Sequence, residues 1–140
     1  MMGLLIAGLL QASLAPPTGV PPLKTIERGQ SSQVESARQM TARTPQEWAA
    51  LWRAHAADRQ PHAVDLAHFT VVAVFLGTRP TAGYSVEIVR TRAERGSLVV
   101  EYVEKQPGPD AIAAQMLTSP YHIVAIPAHA GPVRFEKVER

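Results

Sequence analysis

Hydrophobic and polar positions change their period along the chain, and one stretch has the period of a helix. Between Thr44 and Pro61 the apolar residues recur at i, i+3, i+4 and i+7, which predicts an amphipathic helix. Thr44 is a suitable N-cap, Pro45 suits the first helical position, and Glu47 completes a capping box. We expect Gln60-Pro61 to end the helix. The buried stripe is expected to contain Trp48, Leu51, Trp52 and His55.

Strand patterns fill most of the remaining chain. Residues 69–76 are apolar on both sides, which predicts a central strand covered on both faces. Residues 84–91 alternate, with Tyr84, Val86 and Ile88 on one face. Further strands, separated by turn signals, are expected at 23–28, 35–43 (an edge strand), 98–102, 121–126 and 133–138. Residues 111–118 are expected to form a loop with a helical turn. The pattern predicts an α+β fold: a mostly antiparallel β-sheet of about seven strands, a sandwich or a curled sheet, with one amphipathic helix packed on it.

Composition narrows the class of protein. The chain has 140 residues, which suggests one folded domain, here residues 23–140. Cysteine is absent, which excludes a disulfide framework and a thiolate metal site. The net charge is only +2 and arginines alternate with acids, so no basic footprint for nucleic acid is indicated.

The first fifteen residues differ from the rest of the chain. Residues 1–15 carry no charge and are mostly Leu, Ile, Ala and Gly, which predicts a secretory signal peptide, although no basic residue precedes the apolar run. The run is too short to span a bilayer comfortably, so we expect no stable membrane insertion. Residues 16–22 hold four prolines and a glycine and are expected to be a linker. The expected location is secreted, periplasmic or in the cell envelope; the alternative is a buried N-terminal segment.

A short loop bounded by glycine and proline joins the strands at 69–76 and 84–91. It displays Arg79 and Pro80 and ends beside Tyr84. Exposed arginines and aromatics on loops are typical binding residues, so we expect this loop to meet a protein partner. We expect Arg79 to be exposed and Tyr84 to share a surface with Tyr121. The alternative is a plain hairpin connection. The candidate binding residues are Arg79, Pro80, Thr81, Gly83, Tyr84, Tyr121 and His122.

Catalytic and metal-binding chemistry is not indicated. No serine lies in a G-x-S-x-G elbow, and Ser119 and His122 are close only in sequence. The spacing of the histidines does not match a zinc template, so we expect solvated histidines, no metal and no cofactor. His55 is the exception, because it lies on the tryptophan stripe and is expected in or beside the core. The candidate ligands of such a metal site would be His55, His62, His68, Asp58 and Asp65.

Four blocks of sequence, in this order, resemble the PrcB C-terminal-domain family. They are Trp48-x3-Trp52-x2-His55, residues 71–77, Arg79 to Ile88, and Pro120 to Pro127. The resemblance covers about residues 23–138. It implies an exported, non-catalytic domain that accompanies a surface protease of the subtilisin type. The family's loop is closer to Pro-Thr-Gly-Gly-Tyr, and Ala82 stands here in place of the first of those glycines.

The same loop is similar at three positions to chagasin-type protease inhibitors, whose Thr-Gly-Tyr loop enters a protease cleft. The shared residues are Thr81, Gly83 and Tyr84, with an offset of one position. Three functions therefore stay open. The first is a protease-associated accessory or stabilising protein, the second is a small protease inhibitor that uses residues 78–84, and the third is an assembly domain that pairs through a sheet edge.

Overall fold

The computed structural model describes residues 22–139. The predicted signal peptide and all of the predicted linker except Pro22 therefore lie outside the described residues. No helix in residues 22–139 is long and apolar enough to cross a membrane. The elements in chain order are β1 (Lys24–Gly29), β2 (Arg38–Ala42), α1 (Pro45–Ala56), β3 (Phe69–Phe75), β4 (Ser85–Glu94), β5 (Ser97–Lys105), β6 (Tyr121–Pro127) and β7 (Val133–Lys137).

The strands form two packed sheets, which confirms the predicted α+β class. The first sheet has the order β1-β6-β3-β2, and the second has the order β4-β5-β7. As predicted, β2 is an edge strand, although it is shorter than residues 35–43. All pairs are antiparallel except β5 and β7, which run parallel. Between β5 and β7 the chain crosses to the first sheet and forms β6. It then returns to the second sheet, where β7 runs in the same direction as β5.

The central strand β3 separates two hydrophobic clusters. Val71, Ala73 and Phe75 pack with the helix on one face of the first sheet. Val72 and Val74 point the other way and pack against the second sheet. Successive strand residues face opposite sides, so a strand covered on both faces must be apolar at every position. This layering is the reason for the continuous apolar run.

The helix α1 has the predicted start and the predicted buried stripe. Thr44 is the N-cap and its Oγ1 accepts from the N–H of Glu47 at 3.1 Å. The Glu47 carboxylate reaches the N–H of Arg43 at 2.7 Å, one residue earlier than a capping box requires. The helix ends at Ala56 and not at Gln60, because the N–H of Gln33 caps the carbonyl of His55 at 2.8 Å. The buried residues are Trp48, Leu51, Trp52, His55 and Ala56.

The connection between β5 and β6 contains no helical turn in residues 111–118, contrary to the expectation. Its backbone is held by another loop instead. The N–H and carbonyl of Thr118 form an isolated antiparallel bridge with Arg79, which draws this segment alongside the loop after β3.

Candidate functional site

The loop after β3 is anchored along its length. Gly77, with φ +80°, turns the chain out of the strand, and a Cβ at this position would lie 2.7 Å from the N atom of Ala37. The Arg79 N–H donates to the Thr118 carbonyl at 2.7 Å, and the Ala82 N–H donates to the Ala114 carbonyl at 3.0 Å. Residues 78–84 and 111–118 therefore form one continuous feature, which we call the paired-loop surface.

Three large apolar side chains are exposed on the second loop of this surface. The exposed fraction is 103% for Ile112, 56% for Met116 and 73% for Leu117. They are the exposed large hydrophobic residues of the part of the chain that the structure describes. Sequence reasoning missed them, because an apolar residue in an irregular segment follows no period. The available signal was their position between Pro109 and Pro120, where the sequence predicts a loop with no more than one helical turn to bury them.

Arg79 is more enclosed than expected. Its Nη2 donates to Glu104 Oε2 at 3.0 Å, and its guanidinium lies 5.6 Å from the centre of the Tyr84 ring. The side chain is 27% exposed, and that of Glu104 is 11% exposed. Arg79 therefore fastens the loop to β5, while Pro80 at the tip is exposed. Thr81 and Tyr84 are half-buried, and Gly83 is exposed with φ +96°.

Tyr121 and His122 do not share an exposed surface with the loop. Both are buried, and as neighbours on β6 they face opposite sides of the first sheet. Tyr121 lies on the helix side, where its hydroxyl donates to Glu27 Oε1 at 2.8 Å and its ring centre is 4.3 Å from that of His55. The expected surface shared by Tyr84 and Tyr121 is therefore wrong, because burial takes Tyr121 away from solvent.

His122 links the two sheets. Its Nδ1 accepts from the backbone N–H of Ile88 at 2.8 Å, so its Nε2 carries the proton and donates to Thr25 Oγ1 at 2.8 Å. Burial, and to a smaller extent the nearby positive charge of Arg28, lower the pKa of His122 to about 4. The neutral ring is the form that this pair of hydrogen bonds requires.

Side chains of the first sheet also cover the free edge of β4. Besides the bond from Ile88 to His122, Arg28 Nε donates to the Val86 carbonyl at 3.0 Å. Gln30 Nε2 donates to the Tyr84 carbonyl at 3.2 Å. A strand edge whose polar groups are already bonded is a poor template for another strand. At residues 84–88 this edge is therefore not open for pairing.

A carboxylate that sequence reasoning did not single out organises the helix side of the first sheet. Glu27 accepts both terminal nitrogens of Arg59, at 2.8 and 2.9 Å. It also accepts from His55 Nε2 at 2.7 Å and lies 3.2 Å from His62 Nε2. The Arg59 bonds above all hold the pKa of Glu27 far below its usual range. Tyr121 donates its hydroxyl to the same carboxylate, and burial together with the Glu27 hydrogen bond raises the pKa of Tyr121 to about 12.

Ser32, His55 and Glu27 are connected like the triad of a hydrolase. Ser32 Oγ is 2.9 Å from His55 Nδ1, and the opposite ring nitrogen contacts Glu27. Burial lowers the pKa of His55, so the neutral ring donates to Glu27 and accepts from Ser32. However, Ser32 and His55 are buried, and Ser32 Oγ already accepts from the Val34 N–H at 3.1 Å. A nucleophile needs access to its substrate, so we interpret the three hydrogen-bonded side chains as a structural network.

The three histidines considered as metal ligands differ in their exposure. His55 is fully buried, which confirms its expected place in the core. His62 and His68 are exposed, and His68 Nδ1 lies 2.6 Å from Asp65 Oδ2. The described residues contain no group of three or more His, Cys, Asp or Glu side chains arranged to hold a metal ion.

The family comparison covers the part of the chain that carries the candidate surface. The model of the family described as PrcB C-terminal matches residues 70–127. This segment belongs to the PrcB C-terminal family. The PrcB C-terminal segment runs from β3 to β6 and includes both loops of the paired-loop surface. The tryptophan block of α1 lies before it. No curated protein and no solved structure matches the chain.

Proposed function

We propose that this protein is an exported, non-catalytic binding module that docks on a protease through the paired-loop surface. The observation that carries the proposal is the exposure of Ile112, Met116 and Leu117 on a segment held by backbone hydrogen bonds. Exposed apolar side chains close together in the sequence, here within residues 112–117, favour an interaction site, and burying each of them contributes about 1.5–3 kcal/mol.

The anchoring of the surface supports binding. The bonds from Arg79 to Thr118 and from Ala82 to Ala114 hold the loops together before any partner arrives. A preformed surface loses less conformational entropy on association than a flexible one does. Pro80, whose φ is restricted by its ring, adds a second stiff exposed element beside the apolar residues.

The choice of partner rests on the PrcB C-terminal match over residues 70–127, because the resemblance to that family implies an accessory domain of a protease complex. The accessory function is favoured over inhibition because Arg79 is bonded to Glu104 and packed on Tyr84, and so does not project freely into a cleft. Export rests on the apolar, uncharged character of residues 1–15.

The test is affinity capture from the envelope of the native host. The tagged protein is compared with a variant in which Ile112, Met116 and Leu117 are all replaced by serine. We expect the wild type to retain an exported protease, identified by mass spectrometry, and the variant to lose about tenfold or more of it. The matched control replaces the exposed helix residues Ala49 and Ala50 by serine and should capture as the wild type does.

The same preparation separates the three functions. An accessory protein raises the level or lifetime of the captured protease, whereas an inhibitor abolishes its activity at equimolar amounts. An assembly domain that pairs through a sheet edge captures copies of itself or a strand partner, and the serine variant has no effect on that capture. Equal protease capture by the wild type and the serine variant would refute the paired-loop surface as the binding site.

A further inference from the structure

A cleft at one end of the interface between the sheets contains two buried polar atoms without a partner. Thr91 Oγ1 and His129 Nε2 have no hydrogen-bond partner within residues 22–139, and both residues line this cleft. Its volume is about 190 Å³. The other lining residues are Leu98, Ile126, Pro127 and Ala128.

A β-bulge directs Thr91 into the cleft. The register of β4 against β5 shifts between Ile88 and Arg90, so Val89 is the additional residue. After the shift Thr91 pairs with Val100, a residue of the cluster between the sheets, and it is 3% exposed. Without the bulge Arg90 would take the inward position. The bulge therefore replaces a long charged side chain by a short hydroxyl.

His129 is held in position by its backbone. Arg43 Nε donates to the His129 carbonyl at 2.8 Å and its Nη2 donates to the Gly131 carbonyl. The His129 N–H donates to Thr70 Oγ1 at 3.0 Å. A Cβ at Gly131 would lie 3.1 Å from His129 Nε2, so glycine leaves room for the ring. The backbone of His129, which carries the ring beside the cleft, is thus held by two separate parts of the chain, at Arg43 and Thr70.

The lining defines the chemistry of an occupant. A buried polar atom without a hydrogen bond is destabilising, and a polar group in the cleft would offset that cost. The other walls are apolar, and no charged side chain is among the described residues that line the cleft, so a charged molecule would lose its hydration without compensation. At about 30 Å³ per water, the volume corresponds to about six water-sized groups.

We propose that this cleft binds a small neutral molecule with one hydroxyl group on a compact apolar body. A hydroxyl donates one hydrogen bond and accepts others, so it can bridge Thr91 Oγ1 and His129 Nε2. The apolar body lies against Leu98 and Ile126. The cleft adjoins the end of β4 and the start of β5, whereas the paired-loop surface adjoins the start of β4. The proposal is therefore independent of the proposed docking function.

Phenol and toluene are the probes, because they have the same shape and only phenol has the hydroxyl. Each is titrated into the full chain labelled with ¹⁵N. We expect phenol to shift the amide signals of Leu98, Ala128 and His129 saturably, and toluene to bind about fivefold or more weakly. Thr91→Val should lower the affinity for phenol toward that for toluene, because one of the two hydrogen bonds is lost, while Thr91→Ser should keep the full preference for phenol.

Several outcomes would overturn the site. Phenol that binds no better than toluene, or shifts other regions alone, means that the cleft holds only water. An unchanged phenol affinity in a folded Thr91→Val protein also contradicts the proposal. If Thr91→Val does not fold, the comparison of the two probes on the wild type and on Thr91→Ser decides the matter.

Discussion

At the scale of single residues, Arg79 carries a charge into a mostly enclosed position. Among residues 22–139, its partner Glu104 has Lys137 as a second cation, at 3.7 Å. We expect Arg79→Ala to lower the free energy of unfolding by about 1–2 kcal/mol, because the half-buried carboxylate of Glu104 loses its hydrogen bond. Urea unfolding measures this loss. The neighbouring exposed residue gives the control: Thr78→Ala should change stability by less than about 0.5 kcal/mol. Equal free energies of unfolding for the two variants would show that the ion pair between Arg79 and Glu104 does not contribute to stability.

His122 makes stability depend on pH. Its folded pKa of about 4 lies below the ordinary value of 6.5, so below about pH 6.5 the unfolded chain binds the proton first. The contribution is complete above that pH and is lost as the pH falls toward 4. We expect a loss of about 2–3 kcal/mol between about pH 7 and about pH 4.5, measured by denaturant unfolding at each pH.

The His122→Asn variant isolates this effect from other titrating groups. The amide oxygen of asparagine can accept from the Ile88 N–H and does not titrate. We expect a variant that is less stable at neutral pH, with a shallower loss on acidification. His55, whose pKa is also lowered, remains in both proteins. The same slope in the two proteins would mean that His122 is not the group responsible.

At the scale of elements, α1 is attached to the first sheet mainly through its tryptophans. Trp52 is 2% exposed, and its Nε1 donates to the Arg59 carbonyl at 2.8 Å. We expect Trp52→Ala to lower the free energy of unfolding by about 3–5 kcal/mol, through lost burial and the cavity left behind. Ala50→Ser, on the exposed face of the helix, should cost about 0.5 kcal/mol or less. A loss below about 1 kcal/mol for Trp52→Ala would contradict the observed packing.

The glycines at the two ends of the candidate loop differ in what surrounds them. Both have positive φ, but a Cβ at Gly77 would lie 2.7 Å from a backbone nitrogen, and one at Gly83 would lie 3.1 Å from the Pro107 ring. We expect thermal melts to show that Gly77→Ala costs more than Gly83→Ala, about 3 kcal/mol against about 1–2 kcal/mol. Gly108→Ala, which meets open space, is the control. A larger loss at Gly83 than at Gly77 would contradict this order.

At the scale of the whole molecule, export can be tested directly. We expect residues 1–15 to be absent from the mature protein, with cleavage at or near Ala15, because the helix-breaking Pro16-Pro17 follows. Intact-mass measurement on envelope and cytosolic fractions detects the product. A full-length species found in the cytosol would be inconsistent with a signal peptide.

The candidate site was only partly accessible from the sequence. Gly77, Pro80 and Gly83 punctuate two strong strand patterns, so the loop and its position were predictable. The burial of Tyr121 and His122 was not, since a residue at the start of a strand faces solvent or core depending on what packs there. Ile112 and Leu117 escaped prediction because exposure in an irregular segment depends on tertiary neighbours.

By itself the sequence determined the elements of this protein: the capped helix with its stripe of Trp48, Leu51 and Trp52, the doubly covered strand β3, and the α+β class. These follow from local period and turn chemistry. Only the tertiary structure decided the division into two sheets, the parallel entry of β7, and the contacts of Glu27 with His55 and Arg59. Such contacts join residues far apart in the chain, and their energy depends on burial and distance, which no local pattern encodes.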